Sequence, residues 1–241
     1  MPIIYSIEGN IGSGKSTLVK LLKQNLIKVE MTKIIYLQEP VEEWKNIKTQ
    51  SGENIIEKFY SNQHKYAFSF QMMAYISRLS QLHKTIRNNP SAIIITERSV
   101  FTDRNVFAKM LYDAGKIEEI DYTIYNKWFY EFITDIPITG VIYLDTKPSK
   151  CLERINKRNR DGETISLEYL TNCKKYHDKW ICEEEKLVNK KNILFLEGNE
   201  DFLDEPKSMQ NILTNIEKFM NKTLPSSYIN QQPFDISVHI C

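Results

Sequence analysis

Gly9-Asn10-Ile11-Gly12-Ser13-Gly14-Lys15-Ser16-Thr17 carries the densest chemical signal in this chain. It satisfies G-x-x-x-x-G-K-[ST] and lies between an apolar run and an amphipathic stretch, the strand-loop-helix setting the pattern needs. Successive backbone N–H groups of such a loop turn inward as an anion nest, and the dipole of the following helix adds positive potential. Lys15 would reach the β- and γ-oxygens of a nucleoside triphosphate, and the Ser16 hydroxyl would sit on Mg²⁺. Kinases, GTPases, motor ATPases and nucleotide-binding regulators all use such a loop, so it indicates a ligand class and leaves the reaction open.

Charged residues after the later apolar runs narrow the reaction. Gln38-Glu39-Pro40-Val41 follows the second run, with Trp44 three residues further on. A carboxylate at the end of a parallel strand, next to the strand that feeds the loop, faces the crevice where α/β sheets bind ligands. From there Glu39 could orient an attacking hydroxyl and take its proton late, as a loose phosphoryl-transfer transition state requires; an isolated Glu at such a place is otherwise a surface residue. The third run ends in Glu97-Arg98-Ser99, followed by Asp103-Arg104. Glu97 is a candidate to hold Mg²⁺ through water, and Arg98 to steady the attacking oxygen or a phosphate. These charges also fit a salt-bridge cluster, but Glu39 and Glu97 fall at one end of the sheet beside the glycine-rich loop. Arg154, Arg158 and Arg160 follow the fourth run, the first two four residues apart on one helical face. Converging on phosphate oxygens they would offset developing charge; with Lys147, Lys150 and Lys157 they equally fit a solvated basic face.

These residues need a scaffold, and the hydrophobic pattern supplies one. Five short β-branched runs, Pro2–Ile7, Lys33–Leu37, Ala92–Thr96, Gly140–Leu144 and Asn192–Leu196, alternate with helical patterns. Each run is apolar nearly throughout, which predicts five buried strands of a parallel sheet covered by helices on both faces. Helices are predicted over Ser16–Asn25, with Leu18, Leu21 and Leu22 on one face, and over Glu53–Arg87 as a pair sharing an apolar face of Phe59, Phe70, Met73 and Ile76. Val100–Ala114, Tyr122–Thr134, Lys147–Lys157 and Leu167–Lys190 complete the set. One domain over residues 1–223 and an irregular tail over 224–241, rich in Pro, Ser, Asn and Gln, are expected.

At 241 residues and 41% hydrophobic content the chain can bury one sizeable core. Its 32 Lys and Arg nearly balance 31 Asp and Glu, and no basic stripe with interleaved aromatics stands out, so no nucleic-acid partner is expected. No apolar run approaches the roughly 18 residues of a membrane span, and the first strand leaves no room for a leader, so a cytoplasmic, membrane-free protein is expected. Cys151, Cys173, Cys182 and Cys241 form no CxxC pair, which argues against a zinc site or disulfide framework. His64, His83, His177 and His239 show no ligand or triad spacing.

Together the stretches IEGNIGSGKST, EPVEEW, FSFQ, ERSVFTDR, RINKRNRDGE with SLEYL, and GNEDF are similar to the deoxyribonucleoside kinases, the family of deoxycytidine kinase and deoxyguanosine kinase. The resemblance runs from about Ile3 to about Phe219. It implies a P-loop kinase fold with a five-stranded parallel sheet and an arginine-bearing lid over about 154–166. The implied reaction moves the γ-phosphate of ATP, with Mg²⁺, to the 5′-hydroxyl of a deoxynucleoside, and a homodimer is implied as well.

Carried over residue by residue, the resemblance makes Glu39 the base, with Arg98 beside it, and gives Lys15, Arg154, Arg158 and Arg160 to the phosphates. Tyr60 and Glu163 would bind the sugar 3′-hydroxyl, and Asp201 and Phe202 would cup the ATP base. Gln71, whose amide offers a donor and an acceptor, would read the nucleobase edge between Trp44, Ile56, Phe70 and Phe107; core packing is the plainer role of such aromatics. Ala74, Arg78 and Asp103 would set specificity, resembling the deoxycytidine and deoxyguanosine branch over the thymidine-accepting one. Two rivals share the loop: a nucleoside monophosphate kinase of the thymidylate kinase type, which Glu39 disfavours by repelling a 5′-phosphate, and a non-catalytic nucleotide-binding regulator.

Overall fold

A computed structural model describes residues 2–25, 33–133, 136–160, 163–187, 192–200 and 206–225. Its frame is a five-stranded sheet of β1 (Ile3–Glu8), β2 (Ile34–Leu37), β3 (Ile93–Glu97), β4 (Gly140–Asp145) and β5 (Ile193–Glu197). The order is β2-β3-β1-β4-β5 and every pairing is parallel. All five strands stand within a residue of their predicted positions. The prediction of five buried strands holds only for the centre. β1 and β3 are buried throughout and β4 nearly so, whereas β2 is half-buried and Phe195 on β5 is 52% exposed. β2 and β5 are the edges, where a β-branched run has one fewer neighbour to cover it. The order also corrects the expected neighbour of Glu39: β3, not β2, lies beside β1.

The helices are α1 (Lys15–Gln24), α2 (Val41–Lys45), α3 (Ile55–Ser61), α4 (Gln63–Asn88), α5 (Val100–Thr102), α6 (Lys109–Asp113), α7 (Glu119–Ile133), α8 (Pro148–Arg158), α9 (Leu167–Leu187) and α10 (Pro206–Thr223). Local chemistry marks several starts. Asn54 accepts from the N–H groups of Ile56 and Glu57 at 3.0 Å each, while the Glu57 carboxylate accepts from Asn54 N–H at 2.8 Å, a reciprocal cap that starts α3. Pro148 opens α8 at a position where its missing N–H costs nothing. Between α5 and α6, Asp103–Ala108 is π-helical, a conformation that sequence patterning does not reveal.

Alternation along β1 divides the core between the two sheet faces. Ile3, Tyr5 and Ile7 pack with Leu18 and Leu22 of α1 and Ile216 and Met220 of α10. Ile4 turns to the other face, against Tyr75 of α4 and Tyr125 and Phe129 of α7. The predicted stripe on α3 and α4 is only partly inward: Phe59 is buried and Phe70 and Met73 are half-buried, but Ile76 is 52% exposed. Neither α2 nor α10 was delimited from the sequence. Leu224, assigned there to the tail, is buried against the α1–α10 core; residues 226–241 lie outside the described residues.

Gly140, at the start of β4, has no room for a side chain. A Cβ there would stand 2.9 Å from both the Phe219 and Tyr5 rings, which meet edge to face at 6.0 Å between centroids. Gly140→Ala is expected to destabilise the fold by about 1–3 kcal/mol through overpacking. Urea denaturation would measure it, and an unchanged midpoint would show that the two rings can part.

Candidate active site

The site forms at the carboxyl ends of β1, β2 and β3. Gly9 has φ 141° and Gly12 φ 76°; a Cβ on either would approach a carbonyl oxygen, of Leu144 or Cys151 respectively, to 2.6 Å. Gly14, at φ 104°, leads into α1. Backbone this close to its neighbours, in the left-handed region, is open to glycine alone. The buried Lys15 ammonium donates to the carbonyls of Asn10 (2.6 Å) and Gly9 (3.1 Å). Burial, and then the charge of Arg98, brings Lys15 down to about 7, so the loop favours an anion that restores its charge. Ser16 Oγ donates to Glu97 Oε1 at 2.5 Å, which puts a hydroxyl and a buried carboxylate from two elements at one point.

Beside the loop runs a chain of alternating charge. Arg78, from the middle of α4, donates through Nε to Asp103 Oδ2 (2.9 Å), through Nη1 to the Glu97 carbonyl (2.9 Å) and through Nη2 to Glu39 Oε1 (2.9 Å). The same Glu39 oxygen accepts from Arg98 Nε at 3.1 Å. Arg98 Nη1 reaches the Gly9 carbonyl at 2.8 Å, and its guanidinium lies 4.9 Å from the Phe107 ring centroid. Burial acts to raise the Glu39 carboxyl, but Arg98, Arg78 and Lys15 outweigh it and hold the group at about 2. Glu39 is thus a permanent carboxylate at neutral pH.

These groups share one cavity of about 740 Å³. Of the predicted residues, Ile11, Gly12, Gly14, Lys15, Ser16 and Thr17 line it from the loop; Glu39, Arg78, Glu97, Arg98 and Asp103 from the charge chain; and Trp44, Ile56, Tyr60, Phe70, Gln71, Ala74 and Phe107 from the apolar side. Trp44 meets Phe70 edge to face at 5.8 Å, Phe59 stacks on Phe70 at 4.6 Å, and Gln71, next along α4, is buried. Arg154, Arg158, Arg160 and Glu163 line it as well. Arg154 donates to the carbonyls of Ser13 (3.1 Å) and Gly198 (2.7 Å), whereas Arg158 pairs with Glu163, and Arg160 lies 4.0 Å from the same carboxylate.

Not every predicted residue reaches the cavity. Gly9, Asn10 and Ser13 belong to the loop without lining the cavity, and Asp201 and Phe202 lie outside the described residues. Gln38, Val41, Glu42, Phe59, Glu153, Lys157 and Tyr169 line it without having been predicted as site residues. Tyr169 sits within the SLEYL stretch and Phe59 beside Tyr60, so motif adjacency was the available signal; neither has a spacing of its own that marks it.

A two-sided cavity, with a lysine-bearing anion loop on one side and an apolar slot holding a buried amide on the other, suits a triphosphate and a nucleoside together. The family model described as deoxynucleoside kinase matches residues 5–221. The chain belongs to the deoxynucleoside kinase family. It is 36% identical over 221 residues to a probable deoxycytidine kinase of fowlpox virus, covering 90% of this chain and 88% of that one. It is 35% identical to deoxycytidine kinase 2 of Gallus gallus, with 89% of each covered, and 32% identical to a mitochondrial deoxyguanosine kinase of Xenopus laevis, with 82% of each covered. The protein is an ATP-dependent deoxynucleoside kinase, a transferase, as the sequence resemblance implies.

Glu39 also gives the kinase an acid-sensitive element. Its carboxyl lies at about 2 in the fold against an ordinary 4.5. A depressed carboxyl contributes stability that is fully present above the unfolded value and lost as pH falls toward the folded one, here about 3 kcal/mol. Wild-type stability should therefore fall relative to Glu39→Gln as pH drops from about 5 to about 3. Urea midpoints of both proteins across that range would check it, and a constant difference would show that the two arginines do not hold the carboxylate.

Proposed function

We propose that this kinase transfers the γ-phosphate of ATP to the 5′-hydroxyl of deoxycytidine and purine deoxynucleosides, with Glu39 as the base. The observation that carries the reading is the Glu39 carboxylate, held by Arg78 and Arg98 between the apolar slot and the Lys15 loop. A carboxylate held near 2 is a weak base toward a free alcohol. It accepts a hydrogen bond from the 5′-hydroxyl and orients the oxygen in line with the γ-phosphorus. As the new O–P bond forms and the bridging oxygen departs with ADP, the hydroxyl proton becomes acidic and passes to Glu39. Arg98 steadies the attacking oxygen, while Lys15 and the arginines of the lid, residues 154–166, offset charge on the transferring group.

Mg²⁺ suits Ser16 and Glu97. Their oxygens converge from two elements, and this cation takes few protein ligands and keeps much of its water. When bound, it would neutralise charge on the β- and γ-oxygens. On the acceptor side, Gln71 reads the base edge between Trp44, Ile56, Phe70 and Phe107, and Tyr60 and Glu163 hold the sugar. The buried Arg78–Asp103 pair beside Ala74 supports the deoxycytidine and purine preference, as do the names of the relatives. A homodimer is part of the same reading. Ile120, Ile124, Trp128 and Phe132 recur at four-residue steps on α7 and are exposed, an apolar stripe suited to a second copy.

The deciding experiment is a coupled assay with Mg·ATP and each of the four deoxynucleosides, with deoxycytidine monophosphate as a control acceptor. Turnover on deoxycytidine, deoxyadenosine or deoxyguanosine with little on thymidine is expected; turnover on the monophosphate alone would overturn the reading. Glu39→Gln should lower kcat by about 10²- to 10⁴-fold with ATP affinity nearly intact, and near-normal turnover would remove Glu39 from the mechanism. Arg78→Met with Asp103→Ala should raise the thymidine to deoxycytidine ratio of kcat/KM. Because Arg78 also holds Glu39, absolute rates should fall on both substrates, so the ratio is the readout; an unchanged ratio would place specificity elsewhere.

A further inference from the structure

Glu8 ends β1 directly before the glycine-rich loop, and it is fully buried. Its Oε2 shares a short hydrogen bond with the Thr102 hydroxyl, while Oε1 has no hydrogen-bond partner among the described residues. Around it the fold gathers four carboxyl groups, Glu8, Glu39, Glu97 and Asp103, against three cations, Lys15, Arg78 and Arg98. Glu39 and Asp103 each bond an arginine, and Glu97 accepts from Ser16 and lines the cavity. Glu8 alone of the four is sealed from the cavity, with only the hydroxyls of Thr102 and Ser99 turned toward it. An ionised carboxylate with an unpartnered oxygen in such a place is far costlier than the acid. The groups facing Glu8 are the Thr102 and Ser99 hydroxyls and, at longer range, Arg98 and Arg78; burial outweighs their pull and pushes the carboxyl up.

Position gives this acid a task. The end of β1 grips Arg98 twice: Arg98 N–H donates to the Ile7 carbonyl (3.0 Å) and Arg98 Nη1 to the Gly9 carbonyl (2.8 Å). Arg98 has φ 63°, a left-handed conformation that a non-glycine residue keeps only when its surroundings hold it there. Glu8 lies between those two carbonyls, and its bond to Thr102 ties the first turn after Arg98, capped by Ser99, back to β1.

We propose that Glu8 is a positioning residue, kept as a neutral carboxylic acid, whose hydrogen bond to Thr102 holds the turn from which Arg98 reaches the cavity. With the Thr102 hydroxyl donating to Oε2, the acid proton lies on Oε1 and the group carries no charge. This inference rests on the reading of Arg98 as a residue of the reaction.

The test compares Glu8→Gln, Thr102→Val, Arg98→Ala and the double variant Thr102→Val with Arg98→Ala. Glutamine reproduces the shape and donor of the neutral acid, so Glu8→Gln should keep kcat within about threefold of wild type. Thr102→Val keeps volume but removes the partner, and should lower kcat by about 5- to 30-fold with KM for nucleoside and ATP changed by less than about threefold. The double variant should be no worse than Arg98→Ala, since both changes act on one group. Infrared difference spectra of wild type against Glu8→Gln at neutral pH should contain the carbonyl band of a protonated carboxylic acid. A missing band, or a Glu8→Gln enzyme as impaired as Thr102→Val, would overturn the neutral-acid assignment. Normal turnover in Thr102→Val with an impaired Arg98→Ala would overturn the positioning role alone. Normal turnover in Arg98→Ala would overturn the reading of Arg98 on which it rests.

Discussion

Arg78 is the constraint around which the site is organised. A guanidinium taken from water into a protein interior costs several kcal/mol unless its donors are matched, and removing one partner of such a pair leaves an uncompensated charge. Here the matching groups come from three separate places: Asp103 from the π-helical turn after α5, the Glu97 carbonyl from the end of β3, and Glu39 from the end of β2. Satisfying one arginine therefore positions Asp103, the end of β3 that carries Glu97, and Glu39 at once. Arg98 extends the chain from Glu39 to the Gly9 carbonyl, so the end of β2 and the glycine-rich loop are joined by hydrogen bonds as well as by the sheet.

The phosphate side follows a related logic in backbone. Gly9 and Gly12 let the chain pass within contact distance of Leu144 and Cys151, which brings β4 and α8 against the loop and carries Arg154 to its rim. Lys15 then bonds carbonyls of its own loop while its charge is weakened by burial. A triphosphate would replace weak carbonyl partners with strong anionic ones, which gives the loop a reason to prefer the occupied state.

Much of this was legible beforehand because it is written in local pattern. Strands came within a residue, since buried β-branched runs between turn residues have few alternatives. The two-helix reading of residues 53–87 held because Asn54 and Asn62 supply caps. Failures cluster where a property belongs to neighbours and not to the segment. The half-exposed β2 and β5 have interior-like sequences, and only strand order makes them edges. Ile76 continues an apolar spacing yet faces outward. Phe59 and Tyr169 line the cavity because the tertiary arrangement brings α3 and α9 to it, not because their own spacing marks them.

Sequence alone determined the ligand class, because a glycine-rich loop between a strand and a helix is a local requirement of phosphate binding, and the reaction entered through the resemblance of its ordered motifs to the deoxyribonucleoside kinases. It also determined which residues were candidates. Tertiary structure decided which of them act together: that β3 intervenes between β2 and β1, that Arg78 bridges Asp103 to Glu39, and that Glu8 is sealed behind the loop with one oxygen unmatched. Desolvation and hydrogen-bond matching depend on every group within a few ångströms, drawn from segments as far apart as Glu8 and Thr102, and no one-dimensional spacing carries that information.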